Sequence, residues 1–356
     1  MEALLVKGTI KLADVAKAAG VSQGTASNVF SRPDVVREEV REHVLETARQ
    51  LGYPGPSLTG RLLRAGKVNA IGVAAVEPLA YFFDDPWARA LLAAVAQVCD
   101  ASGTGLALVS AKDRQKLDWN IKSALVDGFI LLCVEAGEKL VQLTRERQLP
   151  FIALALNDDD PSIPSIGVNN IGGAATAATH LAELGHRRFA VLATKFVNDH
   201  VGLVGTGEIE RAIYSTSRHR AIGYWQALEA SGIPRQDIPI YETNNDKTSV
   251  ETCLEHLFSA PKPPTAILAM SDNIALLAIS WLAARGLTVP GDVSIIGFDG
   301  VPEGGMVEPG LTTVAQPFAE IAQRAVQAVL EDAMPTEREM IDVTLVVRGS
   351  TAAPKT

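Results

Sequence analysis

Residues 11–64, KLADVAKAAGVSQGTASNVFSRPDVVREEVREHVLETARQLGYPGPSLTGRLLR, decide the fold of the first part of this 356-residue chain. Apolar residues recur at helical spacing over Leu12–Ala19, which predicts a first helix with one apolar face. Gly20 follows where that helix would end, because glycine adopts the left-handed conformation without a Cβ penalty. Ser22 is placed to cap a second helix by accepting a hydrogen bond from a first-turn amide. Two short helices joined by such a turn predict a helix-turn-helix, whose second helix can lie in the DNA major groove.

The second helix has an apolar face and a polar face. Ala26 and Val29 are predicted to pack on a third helix, Val36–Leu51, which leaves the polar side chains for solvent or for DNA. Amide side chains can make two hydrogen bonds to adenine, glycine permits close backbone approach, and hydroxyl groups suit phosphate oxygens. A small helical domain with a polar outer face is the alternative. The candidate DNA-binding residues on this helix are Ser22, Gln23, Gly24, Thr25, Ser27 and Asn28.

The motif DVAKAAGVSQGTASNVF, followed by a third helix ending in LGY, resembles the headpiece of the LacI/GalR repressors. The resemblance continues through the hinge and across the remaining domain, so that it covers nearly the whole chain. It implies that Gln23, Gly24 and Asn28 read bases. The family usually carries Arg or His at the position of Asn28, so the preferred central bases of the operator are expected to differ.

The resemblance also implies a hinge helix within residues 58–69 that folds only on operator DNA. Leu62 would wedge into a central base step, as apolar side chains do in DNA-kinking proteins, and Arg61 is assigned to the same DNA-binding set. Gly60 costs roughly 1 kcal/mol of helix stability relative to alanine, which favours folding coupled to DNA binding. The alternative is that Leu62 packs against the main domain and Arg61 is solvated.

The charge of the chain is unevenly distributed. Residues 1–70 carry ten Lys and Arg against seven Asp and Glu, a net charge of +3, although the whole chain carries −9 and the remainder therefore −12. A basic DNA-binding module joined to an acidic body fits this asymmetry.

The cysteines and the N-terminal segment bound the cellular context. Cys99, Cys133 and Cys253 have no metal-ligand spacing and are odd in number, so they are interpreted as reduced core thiols. MEALLVKGT is too short for a signal peptide, and the sequence has no 18-residue apolar run. These features predict a cytoplasmic protein with no membrane segment, no metal and no cofactor.

From Ala70 onward, short apolar runs alternate with helical segments, which predicts parallel sheets covered by helices on both faces. The strands are too many for one doubly wound sheet, so two similar α/β lobes with a cleft between them are expected. The predicted strands are Ile71–Val76, Leu106–Val109, Phe129–Val134, Phe151–Leu156, Arg188–Ala193, Ile238–Glu242, Ala266–Ala269, Val293–Phe298 and Leu345–Val347.

The family resemblance matches this body to periplasmic sugar-binding proteins, in which the chain crosses between the lobes three times. The expected organisation is a headpiece over residues 1–57, a hinge over 58–69 and an effector-binding and dimerisation domain over 70–350. The crossings are expected near Ile166–Asn170, Phe298–Val301 and Leu311–Gln316. The first lobe would then hold residues 70–167 and 300–330, and the second would hold 168–298 and 331–350.

Ligands of open α/β sheets bind beyond the carboxyl ends of the strands, so polar residues there are candidates. Asp299 ends one strand and could accept hydrogen bonds from two sugar hydroxyls, or could instead cap a turn. Arg220 resembles the arginine with which the family contacts its effector. The expected effector-binding residues are Arg220, Asp299, Ser271, Asp272 and Phe82, with helix capping as the alternative for Asp272.

Two departures from the family pattern bear on the effector. The carboxylate that the family commonly has after the strand PFIALAL is absent, because Ala155 or Leu156 stands there. The segment Lys195–Ser217 is longer than the corresponding loop of the lactose or purine repressors. It is expected to form a lid, to remodel the pocket or to be a surface insertion.

The sequence has no phosphate-binding loop motif, no nucleophile elbow and no histidines at metal-ligand spacing. The sequence therefore predicts no catalytic residues and a DNA-binding repressor, acting as a homodimer on a double-stranded, pseudo-palindromic operator and controlled by a sugar or sugar derivative. A nucleobase- or nucleoside-responsive regulator of the same architecture is one alternative. A sugar- or nucleoside-processing enzyme with an appended DNA-binding module is another. A free-standing sugar-binding receptor is disfavoured, because the sequence shows no secretion signal.

Overall fold

The computed structural model describes residues 10–55, 67–113, 115–132, 138–154, 162–197, 200–335 and 337–355. The chain divides into two compact units, Met1–Val68 and Asn69–Thr356. The predicted hinge falls almost wholly outside the described residues. Within the described ranges no helix is both long enough and apolar enough to cross a membrane.

The N-terminal unit is the predicted helix-turn-helix with a third helix closing its core. Its helices are α1 (Leu12–Ala18), α2 (Gln23–Ser31) and α3 (Glu38–Leu51). Gly20, at φ +65°, makes the turn between α1 and α2, and Gly52 ends α3 in the same left-handed conformation. The core side chains buried from all three helices are Val15, Ala16, Ala19, Ala26, Val29, Val44 and Ala48.

The first lobe of the larger unit is built on a parallel sheet, in the order β12-β5-β4-β3-β1-β2. Its strands are β1 (Ala70–Ala75), β2 (Gly105–Ser110), β3 (Gly128–Leu132), β4 (Phe151–Leu154), β5 (Ser165–Val168) and β12 (Glu339–Ile341). Its helices are α4 (Tyr81–Asp84), α5 (Pro86–Ser102), α6 (Leu117–Ser123), α7 (Glu138–Glu146) and α13 (Phe318–Glu331). Two apolar cores, one on each face of the sheet, hold this lobe together.

The second lobe has the order β13-β11-β10-β9-β6-β8-β7, with antiparallel strands at both edges. Its strands are β6 (Phe189–Ala193), β7 (Gly202–Leu203), β8 (Ile240–Glu242), β9 (Ala266–Ala269), β10 (Ser294–Asp299), β11 (Thr312–Ala315) and β13 (Thr344–Val346). Its helices are α8 (Asn170–Glu183), α9 (Thr206–Glu210), α10 (Ser215–Ala230), α11 (Lys247–Ser259) and α12 (Asp272–Ala283). Helices α8 and α10 pack closely because Gly223 has no Cβ where the carbonyl oxygen of Ile171 lies.

The predicted lobe boundaries are wrong near the end of the chain. Strand β11 pairs in parallel with β10, so residues 300–315 belong to the second lobe and the chain does not cross at Phe298–Val301. Strand β12 pairs with β5, so residues 339–341 belong to the first lobe. Both strands are short and were not predicted, so the predicted boundaries assigned these residues to the wrong lobes. In the described chain the passages lie between β5 and α8, between β11 and α13, and between β12 and β13.

Candidate functional site

The exposed face of α2 presents all three of the residues predicted to read bases. Gln23, Gly24 and Asn28 are exposed, while Ala26 and Val29 are buried against the other helices as predicted. The polar side of α2 is therefore free of intramolecular packing at these positions, which a groove-binding helix requires.

Ser22 and Thr25 are more constrained than the sequence suggested. Ser22 Oγ accepts a hydrogen bond from the Thr25 amide at 3.0 Å, as expected of an N-cap, and also lies 2.8 Å from Thr25 Oγ1. The two hydroxyls are therefore paired with each other, and Ser27 is half-buried. Arg61 and Leu62, the hinge candidates, lie outside the described residues.

The two lobes of the larger unit face a cavity of about 740 Å³, a volume typical of small-molecule sites. It lies beyond the carboxyl ends of strands from both sheets. The second lobe contributes Arg220, Asp299 and Ser271, three of the predicted effector contacts, and the first lobe contributes Tyr81 and Trp87.

Arg220 is the centre of the polar wall. Its Nε donates to Asn170 Oδ1 at 2.9 Å, its Nη1 donates to the carbonyl oxygen of Met270, and its Nη2 lies 3.5 Å from Asp299 Oδ1. The guanidinium carbon lies 3.6 Å from the ring centroid of Phe298, which stacks beneath it. Three backbone or side-chain acceptors and one aromatic face therefore hold this cation in a single orientation.

Asp299 has a strained backbone and a second hydrogen-bond donor. Its φ is +133°, a conformation that side chains rarely adopt and that proteins retain mainly at functional sites. Gln316 Nε2 donates to its Oδ1 at 2.8 Å. Burial raises the pKa of the Asp299 carboxyl well above its usual value, while Arg220 opposes that rise. Burial likewise lowers the pKa of Arg220.

Asp272 does not line the cavity, so the prediction that it contacts effector is not supported by its position. Its Oδ2 accepts from the amides of Gly300 at 2.7 Å and Val301 at 2.8 Å, and its Oδ1 accepts from Thr313 Oγ1 at 2.5 Å. The fully buried carboxylate therefore holds the turn that follows Asp299. This differs from the capping alternative, because the N-cap of α12 is Ser271.

Phe82 is also misplaced as a ligand contact. Its side chain is fully buried in the core of the first lobe and is not part of the cavity wall. The neighbouring Tyr81 lines the cavity instead, because adjacent residues of the short helix α4 point in different directions.

Ser271 begins a chain of hydrogen bonds that reaches the other lobe. Its Oγ accepts from the Ile274 amide at 3.1 Å and donates to Asn245 Oδ1 at 2.7 Å. Asn245 Nδ2 in turn donates to Asp85 Oδ2 at 2.9 Å, across the cavity. Burial raises the pKa of Asp85, although the amides of α5 and Asn245 counteract this.

The long segment 195–217 is packed against the second lobe where it is described. Strand β7 extends the sheet edge, Ile209 and Ala212 are buried in the core, and residues 214–217 line the cavity. Glu242, fully buried, accepts from the amides of Phe196 at 2.9 Å and Val197 at 3.2 Å. Both ends of the segment therefore form part of the pocket wall, and the lid, the remodelled pocket and the surface insertion remain predictions.

Three polar residues of this network were not predicted: Asn170, Asn245 and Gln316. Each directly follows a strand or a short turn, so the same strand-end rule that found Asp299 would have found them. The strands β5 and β11, which precede Asn170 and Gln316, were themselves missed. Among the described residues no group of His, Cys, Asp and Glu side chains could hold a metal ion, and Cys99 and Cys253 are buried free thiols. Cys133 lies outside the described residues.

A helix-turn-helix unit joined to a two-lobed α/β domain with a polar interlobe cavity defines a ligand-responsive class of DNA-binding protein. Residues 11–55 match the family described as bacterial regulatory proteins, lacI family, and residues 178–351 match the periplasmic binding protein-like domain. The chain belongs to the LacI family of DNA-binding transcriptional regulators, whose members bind operator DNA and small-molecule effectors and are typically dimeric.

Relatives support this assignment along the whole chain. An HTH-type transcriptional regulator of Mycobacterium tuberculosis is 35% identical over 96% of this chain and 97% of its own length. The HTH-type transcriptional repressor PurR of Aliivibrio salmonicida is 30% identical over 91% of each chain. These relatives are named as regulators rather than as enzymes.

Solved structures show the same architecture. A LacI-family transcriptional regulator from Corynebacterium glutamicum superposes with a TM-score of 0.70 at 28% identity, covering 98% of this chain and 99% of that one. A complex of the transcriptional regulator CelR with cellobiose superposes with a TM-score of 0.66 at 25% identity, covering 96% and 99%.

Proposed function

We propose that this chain is a repressor that binds a pseudo-palindromic operator as a homodimer, and that a sugar or sugar derivative in the interlobe cavity controls its operator affinity. The observation that carries the ligand site is the buried Arg220–Asp299 pair on the cavity wall. The position of this pair supports the proposal, because the pair lies at the carboxyl ends of the strands, where open α/β sheets bind ligands.

The chemistry of the wall suits hydroxyl groups. Asp299 Oδ1 is shared by Arg220 and Gln316, and within the described residues no hydrogen bond reaches Oδ2, which leaves that oxygen for a ligand hydroxyl. Arg220 retains N–H groups beyond the three already used, so a donor and an acceptor stand side by side. A vicinal diol can satisfy both, and an uncharged polyol adds no net charge to the buried pair.

A nucleobase or nucleoside is the second candidate ligand. Four aromatic side chains line the cavity, and flat rings stack favourably on one another. The relative named PurR also favours this candidate. The aromatic cavity residues are Tyr81, Trp87, Tyr214 and Phe318.

A thermal-shift screen of the full chain separates the two candidates. We expect stabilisation by one or a few members of a panel of monosaccharides, disaccharides and polyols, and none by bases or nucleosides, because ligand binding to the folded state raises its melting temperature. Stabilisation by bases alone would transfer the proposal to the second candidate. A panel with no active member would contradict a cavity specific for either class.

The operator is tested by selecting bound sequences from random DNA, with the full chain and with residues 1–69 deleted. We expect a pseudo-palindrome that disappears with the deletion, because a two-fold dimer presents two related recognition helices. Adding the stabilising sugar then fixes the direction of control, since weaker operator binding means induction and tighter binding means co-repression. A single non-repeated site would contradict the dimeric arrangement.

A further inference from the structure

The beginning of helix α5, in the first lobe, makes three polar contacts with the second lobe. Asp85 Oδ2 accepts from Asn245 Nδ2 at 2.9 Å, and Trp87 Nε1 donates to Gln316 Oε1 at 3.3 Å. Arg89 forms an ion pair with Glu303. The residues that make these contacts lie within a single turn of α5, so this turn carries the polar connection between the lobes.

Two of these residues also contact the ligand-side network, Gln316 through Asp299 and Asn245 through Ser271. Asn245 is the one whose contact to the first lobe is made to a carboxylate. Its backbone has φ +58°, a left-handed conformation that asparagine tolerates better than most residues. Asn273 Nδ2 donates to the backbone carbonyl oxygen of Asn245 at 2.7 Å and to its Oδ1 at 3.4 Å, and the backbone N–H of Asn245 donates to Thr243 Oγ1 at 3.1 Å. The side chain is therefore presented from a fixed turn.

The orientation of the Asn245 amide follows from its neighbours. The Asp85 carboxylate can only accept, so the Nδ2 group of Asn245 must face it. Oδ1 of Asn245 then faces Ser271, whose hydroxyl donates its proton to it while accepting from the Ile274 amide. Asp85 is equally constrained, because its Oδ1 caps α5 by accepting from the Ala88 amide at 2.9 Å.

We propose that Asn245 is a positioning residue that sets the relation of the two lobes by holding Asp85, and that it links this relation to ligand through Ser271. The second half of this inference rests on the proposed ligand site. A ligand oxygen that accepts the Ser271 proton takes it from Asn245, whose side-chain amide then keeps its bond to Asp85 and only the longer bond from Asn273 Nδ2 at 3.4 Å. The interlobe contact is weakened by the same event that binds the ligand.

Trp87 provides a direct readout of the interlobe contact in the full chain without ligand. Trp225 and Trp281 are each 4% exposed or less, whereas Trp119 is 74% exposed and would dominate quenching by acrylamide. In a Trp119→Phe background, the acrylamide quenching constant therefore reports chiefly the exposure of Trp87.

The test is a swap of the two partners in that background. Asn245→Asp places a carboxylate against Asp85, and we expect repulsion to separate the lobes and raise the quenching constant about twofold. Adding Asp85→Asn restores a donor and an acceptor, since the new asparagine can cap α5 and donate to the new aspartate, so the double variant should return to the background value. Gln236→Glu, the same charge change on an exposed residue of the second lobe outside the cavity, should leave quenching unchanged.

Unchanged quenching in Asn245→Asp, or a double variant as quenched as the single one, would overturn the proposal. If Asn245→Asp does not fold, Asn245→Gly removes the amide while keeping the left-handed backbone, and it should raise the quenching constant as well. Because these measurements need neither operator nor sugar, their failure is distinct from failure of the proposed function. The link to ligand is tested by the response to the sugar found by thermal shift, which Asn245→Gly should weaken without abolishing binding.

Discussion

Arg220 and Asp299 form an ion pair whose nearest atoms, Nη2 and Oδ1, are 3.5 Å apart, with each side chain only 6% exposed. The pair is sandwiched between the ring of Phe298 and the cavity, so neither charge can be removed without leaving the other uncompensated. A buried pair is costly to break by removing one partner and adds little stability by itself, which points to binding rather than to folding as its use.

Asp299→Asn is expected to weaken the binding of the stabilising sugar, and so shift its response to higher sugar concentrations, while operator binding is retained. The amide keeps the shape of the side chain but removes the carboxylate oxygen that a ligand hydroxyl would use, at a cost on the order of 1–3 kcal/mol of binding. Ligand affinity is measured by isothermal titration and operator affinity by fluorescence anisotropy. Asp292→Asn, which alters an aspartate paired with Lys355 near the C-terminus, is the matched control. A normal sugar response in Asp299→Asn would mean that the ligand binds elsewhere.

Gln23→Ala is expected to weaken binding to the selected operator by about 1–3 kcal/mol and to leave binding to random DNA nearly unchanged. The side chain is exposed on α2 and can make two hydrogen bonds to a base edge, so its loss should affect sequence reading alone. Gln50→Ala, which removes an exposed amide side chain from α3, controls for the loss of an amide from the headpiece surface. Equal loss on both kinds of DNA would assign Gln23 to the phosphate backbone instead.

Asp272→Ala is expected to destabilise the larger unit by roughly 3 kcal/mol, because it leaves the buried Thr313 hydroxyl and the buried amides of Gly300 and Val301 without their hydrogen-bond acceptor. It should also reduce sugar affinity by releasing the turn that follows Asp299. Asp246→Ala removes an N-cap of α11 and should cost only about 1 kcal/mol. Melting temperatures of the two variants decide the matter, and equal shifts would show that the buried hydrogen bonds contribute no more than a surface cap.

His186 should make stability fall as the pH is lowered. It is buried between Thr265 Oγ1 and the carbonyl oxygen of Ala352, each 2.9 Å from a ring nitrogen, and burial lowers the pKa of the imidazole from 6.5. The unfolded chain binds a proton that the folded chain resists, so the stabilisation is complete above pH 6.5 and is lost as the pH falls toward the lowered value. His186→Gln should have a smaller difference in melting temperature between pH 7.5 and pH 5.5 than the parent chain. An unchanged difference would assign the pH effect to other groups.

The headpiece could be predicted closely because its signals are local. The cap at Ser22, the glycine turn at Gly20 and the helical period of the core act within a few residues. Asp299 could be placed because the strand-end rule and the family resemblance agreed on it, and Arg220 could be placed by the family resemblance.

The remainder could not be predicted, for identifiable physical reasons. Strand β11 reads TTVA, without an apolar run, and β12 pairs with a strand that is distant in sequence. To predict that Tyr81 rather than Phe82 lines the cavity, one must know how the single-turn helix α4 is oriented. The strand-end rule points to Asn245, but periodicity does not reveal the left-handed backbone from which its side chain is presented.

The late position of β12 has a consequence for synthesis of the chain. The first lobe begins at Ala70, yet the sheet gains its last strand only from Glu339–Ile341, after most of the second lobe has been translated. Helix α13, which packs on the core of the first lobe, is also made late. A nascent chain must therefore hold an unfinished sheet edge at β5 while it builds another domain. Substitutions near β5 are therefore expected to reduce the yield of folded protein by leaving that edge less protected during synthesis, rather than by lowering the stability of the finished protein.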